Sequence, residues 1–238
     1  MEYENIYNTI SEILNNVRGN YNILEEQIDI DLQTEYFEYS KNYKSLKTEE
    51  EILEKRENIF KDHVNEEEKK NLFVELASIE SVVAYRTIEK YLEKPETNFM
   101  KDWATLAFQE SRMLIESKLL DENQIFISTG LGGKNGKLRY FVVFIAKNKD
   151  FSEFERKIVR DELQYHFKAV HSELEEIEFN RQYSSILAIV PLHIPVKKLF
   201  DEIVNECNQF GDFINKDFII TNVRKFTVEE VESHLRVN

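Results

Sequence analysis

At 238 residues with a formal net charge of −14 and 42% apolar residues, the chain is long enough to bury a proper core and too apolar to stay disordered. One cysteine, Cys207, excludes an intramolecular disulfide and any multi-cysteine metal site. The charge is uneven: residues 1–123 carry 15 Lys+Arg against 28 Asp+Glu, and residues 124–238 carry 16 against 17. An acidic first half repels phosphate backbones, so nucleic acid is not expected to wrap the whole chain.

The opening Met-Glu-Tyr-Glu-Asn lacks a basic segment and an apolar run, so no secretory signal is expected. No window is long and apolar enough for a membrane span, and a cytoplasmic protein is the simplest expectation. Tyr3, Ile6, Tyr7, Ile10, Ile13, Leu14 and Val17 recur at helical spacing and predict a first helix, stopped by Gly19-Asn20. Residues 21–45 read two ways. Leu24, Ile28, Leu32, Tyr36, Tyr39 and Tyr43 fit a helix, whereas Ile28-Asp29-Ile30-Asp31-Leu32 alternates like a strand. Thr48 and Glu51 form a capping box. Asn65 caps a helix predicted to run through Leu72, Phe73, Leu76, Val82 and Val83 as far as Tyr91 and Leu92, before Pro95. A last helix carries Met100, Trp103, Leu106 and Leu119.

The hairpin around Pro95 resembles a HEAT-like helical repeat. Ala84-Tyr-Arg-Thr-Ile-Glu-Lys-Tyr-Leu-Glu-Lys-Pro95 ends one helix and Phe99-Met-Lys-Asp-Trp-Ala-Thr-Leu-Ala107 opens the next. The resemblance covers residues 66–120 and implies a scaffold for partner contact, with no chemistry of its own.

After Asp121 the period changes. Ile125–Ile127 reads as a short strand, expected to pair through a glycine loop with the apolar run Tyr140–Ala146. Ser152 and Glu155 open a helix; Ile177 and Phe179 mark a half-exposed strand; Ile186–Val190 is a second fully apolar strand. Pro195 opens a helix through Cys207, Phe218–Val223 is a last strand, and Thr227 with Glu230 caps a terminal helix. From Leu138 the order is β-α-β-β-α-β, then α. The expected fold class is therefore α+β. An antiparallel helical region occupies residues 1–121, and a ferredoxin-like domain with an added N-terminal hairpin strand occupies residues 122–238. Helices cover one face of such a sheet. The N-terminal helices, a second copy in a homodimer, or a ligand are candidates for the other.

Four of the six glycines crowd into Ser128-Thr-Gly130-Leu-Gly132-Gly133-Lys134-Asn-Gly136-Lys137, in a stretch with Lys134, Lys137, Arg139, Lys147 and Lys149 and no acid from Gln124 to Lys149. Gly130, Gly132, Gly133, Lys134, Gly136, Lys137 and Arg139 are the candidate anion- or partner-binding residues. Walker and dinucleotide fingerprints fail: Leu131 stands at the first Walker glycine, Leu138 at its hydroxyl and Asn135 at the last dinucleotide glycine. Gly133-Lys-Asn-Gly136 matches the Gly-x-x-Gly of KH loops, which join helices rather than strands. Asn135-Gly136 is a strong hairpin-turn signal, and a plain turn is the simplest reading. The surplus glycine and the unopposed charge leave docking on the protein's own acidic helices, or those of a second copy, as an alternative to an outside ligand.

No histidine, cysteine or carboxylate set has metal-ligand or nucleophile spacing, and no metal or cofactor is expected. Tyr3, Tyr7, Tyr36, Tyr39 and Tyr43 are either core and rim or an exposed aromatic ridge. The leading functional expectation is a non-enzymatic binding or adaptor protein with a protein partner, or one that associates with itself. A regulatory domain holding a small anion and an RNA- or ribosome-associated protein are the alternatives.

Overall fold

The computed structural model describes residues 21–43, 45–122, 124–147 and 150–237. The expected helix from Tyr3 to Val17 lies outside them, as does Lys149. The fold is α+β, and the described chain divides into two compact units. A helical unit takes residues 28–127 with Tyr21 and Asn22, and an α/β unit takes residues 23–27 and those from Ser128 onward.

In the helical unit the alternation at Ile28–Leu32 is not a strand, because a helix starts there, and the strand of this stretch lies earlier. Tyr21–Ile23 is strand β1, and Ile30–Asn42 is helix α1. Asp29 starts α1 because its carboxylate accepts from the N–H groups of Asp31 and Leu32. Helix α2 (Glu49–Lys55) has the expected capping box: Thr48 N–H donates to Glu51 at 2.8 Å and Glu51 N–H to Thr48 Oγ1 at 3.3 Å. A 3₁₀ turn, Arg56–Phe60, follows.

The helix predicted from Asn65 to Leu92 is two helices, α3 (Glu66–Ala77) and α4 (Val82–Leu92). Ser78 Oγ donates to the carbonyl of Glu75, a local side-chain bond at the end of α3, and the main-chain N–H of Ser81 turns back to the carbonyl of Ile79. Val82 and Val83 then emerge exposed instead of joining the apolar side. Helix α5 (Asn98–Leu120) is capped by Thr97 and ends at Asp121 in the left-handed region, φ 52°. The core gathers Tyr36, Ile59, Phe73, Leu76, Ile88, Tyr91, Trp103 and Leu106, all at most 2% exposed. Each such side chain contributes about 1.5–3 kcal/mol of burial. Among the described residues no helix is long and apolar enough to cross a membrane.

Helix α3 also buries charge, which burial alone penalises. Lys69 pairs with Glu96. Lys70 pairs with Glu35 at 2.8 Å, and its ammonium sits 4.2 Å from the Trp103 ring centroid. Glu75, whose side chain is fully buried, accepts from Tyr43, Ser45 and Lys47 at 2.7–2.9 Å. Tyr36 donates to Glu110 at 2.6 Å, and Tyr39 donates to Glu67 at 3.0 Å. The three tyrosines therefore point their hydroxyls at carboxylates across the helices.

The strand Ile125–Ile127, β2, pairs with β1 and not with the apolar run after the glycines. That run is β4 (Lys137–Ile145), and both its edges are occupied. One pairs over its whole length with β6 (Tyr183–Pro191). The other is shared by β3 (Gly133–Lys134) at Lys137–Leu138 and β7 (Ile219–Thr221) at Phe141–Val143. The added hairpin strand is thus only two residues long and comes from the glycine segment itself. Strand β5 (Glu173–Asn180) pairs with β6, and every pairing in this five-stranded sheet is antiparallel.

Alternation sends Val142, Phe144, Ile186, Ala188 and Val190 to one face. Helices α6 (Glu153–Ala169) and α7 (Val196–Asn208) pack there through Val159, Leu163, Phe200, Ile203 and Cys207. The other face carries Phe141, Val143, Tyr183 and Leu187. Within the unit it is met by Leu131 of the glycine segment, Phe226, and Val231 of the terminal helix α8 (Val228–Val237).

Replacing Glu75 by Ala empties a buried position, leaves the partly exposed Lys47 without its partner and removes the acceptor of two hydroxyls. The loss expected in urea denaturation is about 3 kcal/mol, against less than about 0.5 kcal/mol for Glu50→Ala on the exposed side of α2.

Candidate functional site

The seven residues singled out in the sequence form one corner of the α/β unit. Asn135 and Gly136 have φ of 52° and 72°, and Lys134 faces Lys137, so this is the expected two-residue hairpin turn. Before it, Thr129 to Gly132 forms a second turn closed by Gly132 N–H to the Thr129 carbonyl at 3.0 Å. Gly130, within this turn, is buried.

Gly132 and Gly133 make room for a passing segment of the same chain. Gly132, at φ 64°, leaves room for the backbone of Glu25 and Glu26: a Cβ there would lie 2.5 and 2.3 Å from their carbonyl oxygens. At Gly133 a Cβ would lie 2.2 Å from the Lys137 carbonyl oxygen and 2.8 Å from Ile23. At Gly136 it would meet nothing, so only φ demands glycine there. Gly133 N–H donates to the Glu25 carbonyl at 3.3 Å, and Asn135 N–H donates to the Glu25 carboxylate at 2.6 Å. Arg139 reaches the same carbonyl at 3.5 Å and the Leu131 carbonyl at 2.7 Å.

The basic side chains are opposed, but from far along the sequence. Lys134 and Lys137 converge on Glu173 at 3.1 and 2.9 Å, and Arg139 grips Glu175 through two nitrogens at 2.5 and 3.1 Å. The register explains the geometry. Arg139 and Glu173 both stand opposite Ile189, on either side of β6, so these side chains share a face and reach across the middle strand. A bulge between Leu174 and Glu176 inserts Glu175, placing Glu173, Glu176 and Glu178 on the same face as Arg139. The Arg139 side chain is 12% exposed and that of Glu175 21%, a largely desolvated bidentate pair. Hydrogen bonds from Lys137 and then Lys134 hold the Glu173 carboxyl below the ordinary carboxylate range.

The carboxylates that meet the corner lie on an extended segment and a strand, not on helices. Glu25, Glu173 and Glu175 were not singled out in the sequence. The available signal was Glu173-Leu-Glu-Glu-Ile-Glu178, four acids in six residues of a strand beside β6.

The other chemistry-bearing residues stay apart. His166 approaches Glu162 at 3.7 Å, one turn along α6. Cys207 is buried, and that burial, with Glu162 nearby, pushes its thiol up to about 12, which leaves almost no thiolate at neutral pH. Among the described residues no group of three His, Cys, Asp or Glu is placed to hold a metal ion. Comparison with protein-family models found no match, and comparison with curated proteins found none either.

Two consequences are measurable. Gly132→Ala meets two carbonyl oxygens in a strained conformation and should cost about 3 kcal/mol in chemical denaturation, whereas Gly136→Ala, strained but unobstructed, should cost about 1 kcal/mol. Glu173 is held below its unfolded value, so its stabilisation is present above the ordinary carboxylate range and lost as pH falls through the lowered value. Glu173→Gln should therefore show a shallower loss of stability than the parent as pH falls below the ordinary carboxylate range.

Proposed function

We propose that this chain is a non-catalytic binding protein whose glycine hairpin holds an extended acidic segment of a protein partner. The observation that carries this reading is the grip on Glu25: main-chain N–H groups of Gly133 and Asn135 and the guanidinium of Arg139 meet one residue's carbonyl and carboxylate, over two glycines that clear its path. Those donors suit an acidic strand, as in recognition by backbone pairing with one side-chain anchor. The chain's own segment occupies them, so a partner competes with a tethered ligand at an effective concentration in the millimolar range.

We read the α/β unit as ferredoxin-like. The path β7-β4-β6-β5 is antiparallel throughout, and helices follow the first and third of the strands β4, β5, β6 and β7. We read α4 and α5, joined through Pro95, as a HEAT-like pair that offers a second contact surface, and we place the protein in the cytoplasm. The neutralisation of Lys134, Lys137 and Arg139 by Glu173 and Glu175 favours a protein segment over RNA, which needs uncompensated cations. A small carboxylate at the Asn135 N–H is the second reading, favoured by the Glu25 carboxylate already there.

A labelled peptide of residues 21–29 tests the proposal by fluorescence anisotropy. The Glu25→Ala/Glu26→Ala protein should bind it with a Kd of about 10–100 μM, and the parent at least about tenfold more weakly. A peptide with Gln at both glutamates should lose most of the affinity. No binding to the double variant, or equal binding of the Gln peptide, overturns the reading; displacement by free acetate or succinate favours the small-carboxylate alternative.

A further inference from the structure

Apart from the glycine corner, the sheet face opposite α6 and α7 holds a cavity of about 170 Å³ within the α/β unit. Phe141 of β4, Leu187 of β6, Phe226 and Val231 of α8 form its apolar walls, with the rings of Phe141 and Phe226 edge to face at 6.2 Å. Tyr183 also lines it. This side chain is 4% exposed, yet its hydroxyl forms no hydrogen bond among the described residues. The ring is buried while the hydroxyl keeps access to solvent, so it stands free to accept from a group that enters the cavity.

The charges around the cavity are of one sign once pairs are counted. Lys225, the cation on its wall, is held by Glu176 at 2.7 Å, and Arg224 is held by Glu230 at 2.6 Å. Glu178, on the rim and on the same face through the β5 bulge, forms no ion pair among the described residues. Glu232, Glu178 and Glu229 all add negative potential at the Tyr183 hydroxyl, after burial the main cause that raises its pKa.

We propose that this cavity binds a compact organic ammonium: a protonated amine on an aromatic or branched apolar body. The body fills the space between Phe141, Leu187, Phe226 and Val231, a volume comparable to the roughly 150 Å³ of an apolar cavity that accepts benzene. The ammonium donates to the Tyr183 hydroxyl and to the Glu178 carboxylate, and the aromatic walls favour a cation over a neutral head. An anion is excluded by the same carboxylates.

Benzylamine, benzyl alcohol and benzoate share a body and differ in the charge of the head. Titrated into the full chain at pH 7 and followed by amide NMR, benzylamine should saturate with a Kd near about 1 mM or below, shifting Phe141, Leu187 and Val231. Benzyl alcohol should bind at least fivefold more weakly, and benzoate should not bind. Glu178→Gln lies at the exposed rim and Tyr183→Phe keeps the ring, so both should fold; each should weaken benzylamine by threefold or more. No saturation by about 10 mM benzylamine, equal affinity for the alcohol, or a Glu178→Gln protein that binds as tightly overturns the proposal.

Discussion

Strand β4 is the constraint around which the α/β unit is arranged. It is hydrogen-bonded along both edges, to β6 on one side and to β3 and β7 on the other. Its side chains alternate between two apolar surfaces, so neither face can be left to water. One face takes α6 and α7. The other takes Leu131, Phe226 and Val231 at its apolar end, while at its Lys137–Arg139 end it replaces apolar cover with ion pairs to Glu173 and Glu175.

That exchange changes the meaning of the basic glycine segment. A run without acids reads as a surface waiting for an anion. In the folded chain its cations are matched across β6 by β5, and its backbone donors are matched by Glu25. A bidentate arginine–carboxylate pair in a partly dry setting gives register as well as energy, since a slip of one residue along β5 would turn Glu173 away. The donors and cations of the glycine segment are thus used within the chain itself.

The helical unit solves a different problem with the same residue types. Glutamates and lysines that pattern as a solvated face, Lys69, Lys70 and Glu75, are buried on α3. Each has a partner: Glu96, Glu35 with the Trp103 ring, and a group of two hydroxyls and Lys47. Periodicity places the tyrosines of α1 correctly on one stripe, but their hydroxyl partners belong to other helices. The break between α3 and α4 is as little visible in the periodicity: the apolar pattern runs on through Val82 and Val83, while Ser78 Oγ bonds the Glu75 carbonyl and the Ser81 main-chain N–H turns back to Ile79.

By itself the sequence determined what depends on neighbours within a few residues. Capping boxes at Thr48, Ser152 and Thr227, the Asn135-Gly136 turn, the two apolar strands and the change from helical to strand period are all local, because caps, turns and alternation are written in adjacent side chains. Tertiary structure alone decided the pairings across long separations: β2 with β1 rather than β4, Glu25 with Asn135, Glu173 and Glu175 with the basic hairpin, and the terminal helix over the second face. Those contacts join residues tens of positions apart, and their selection turns on which strand edges remain free and where a single inserted residue in β5 sends its carboxylates.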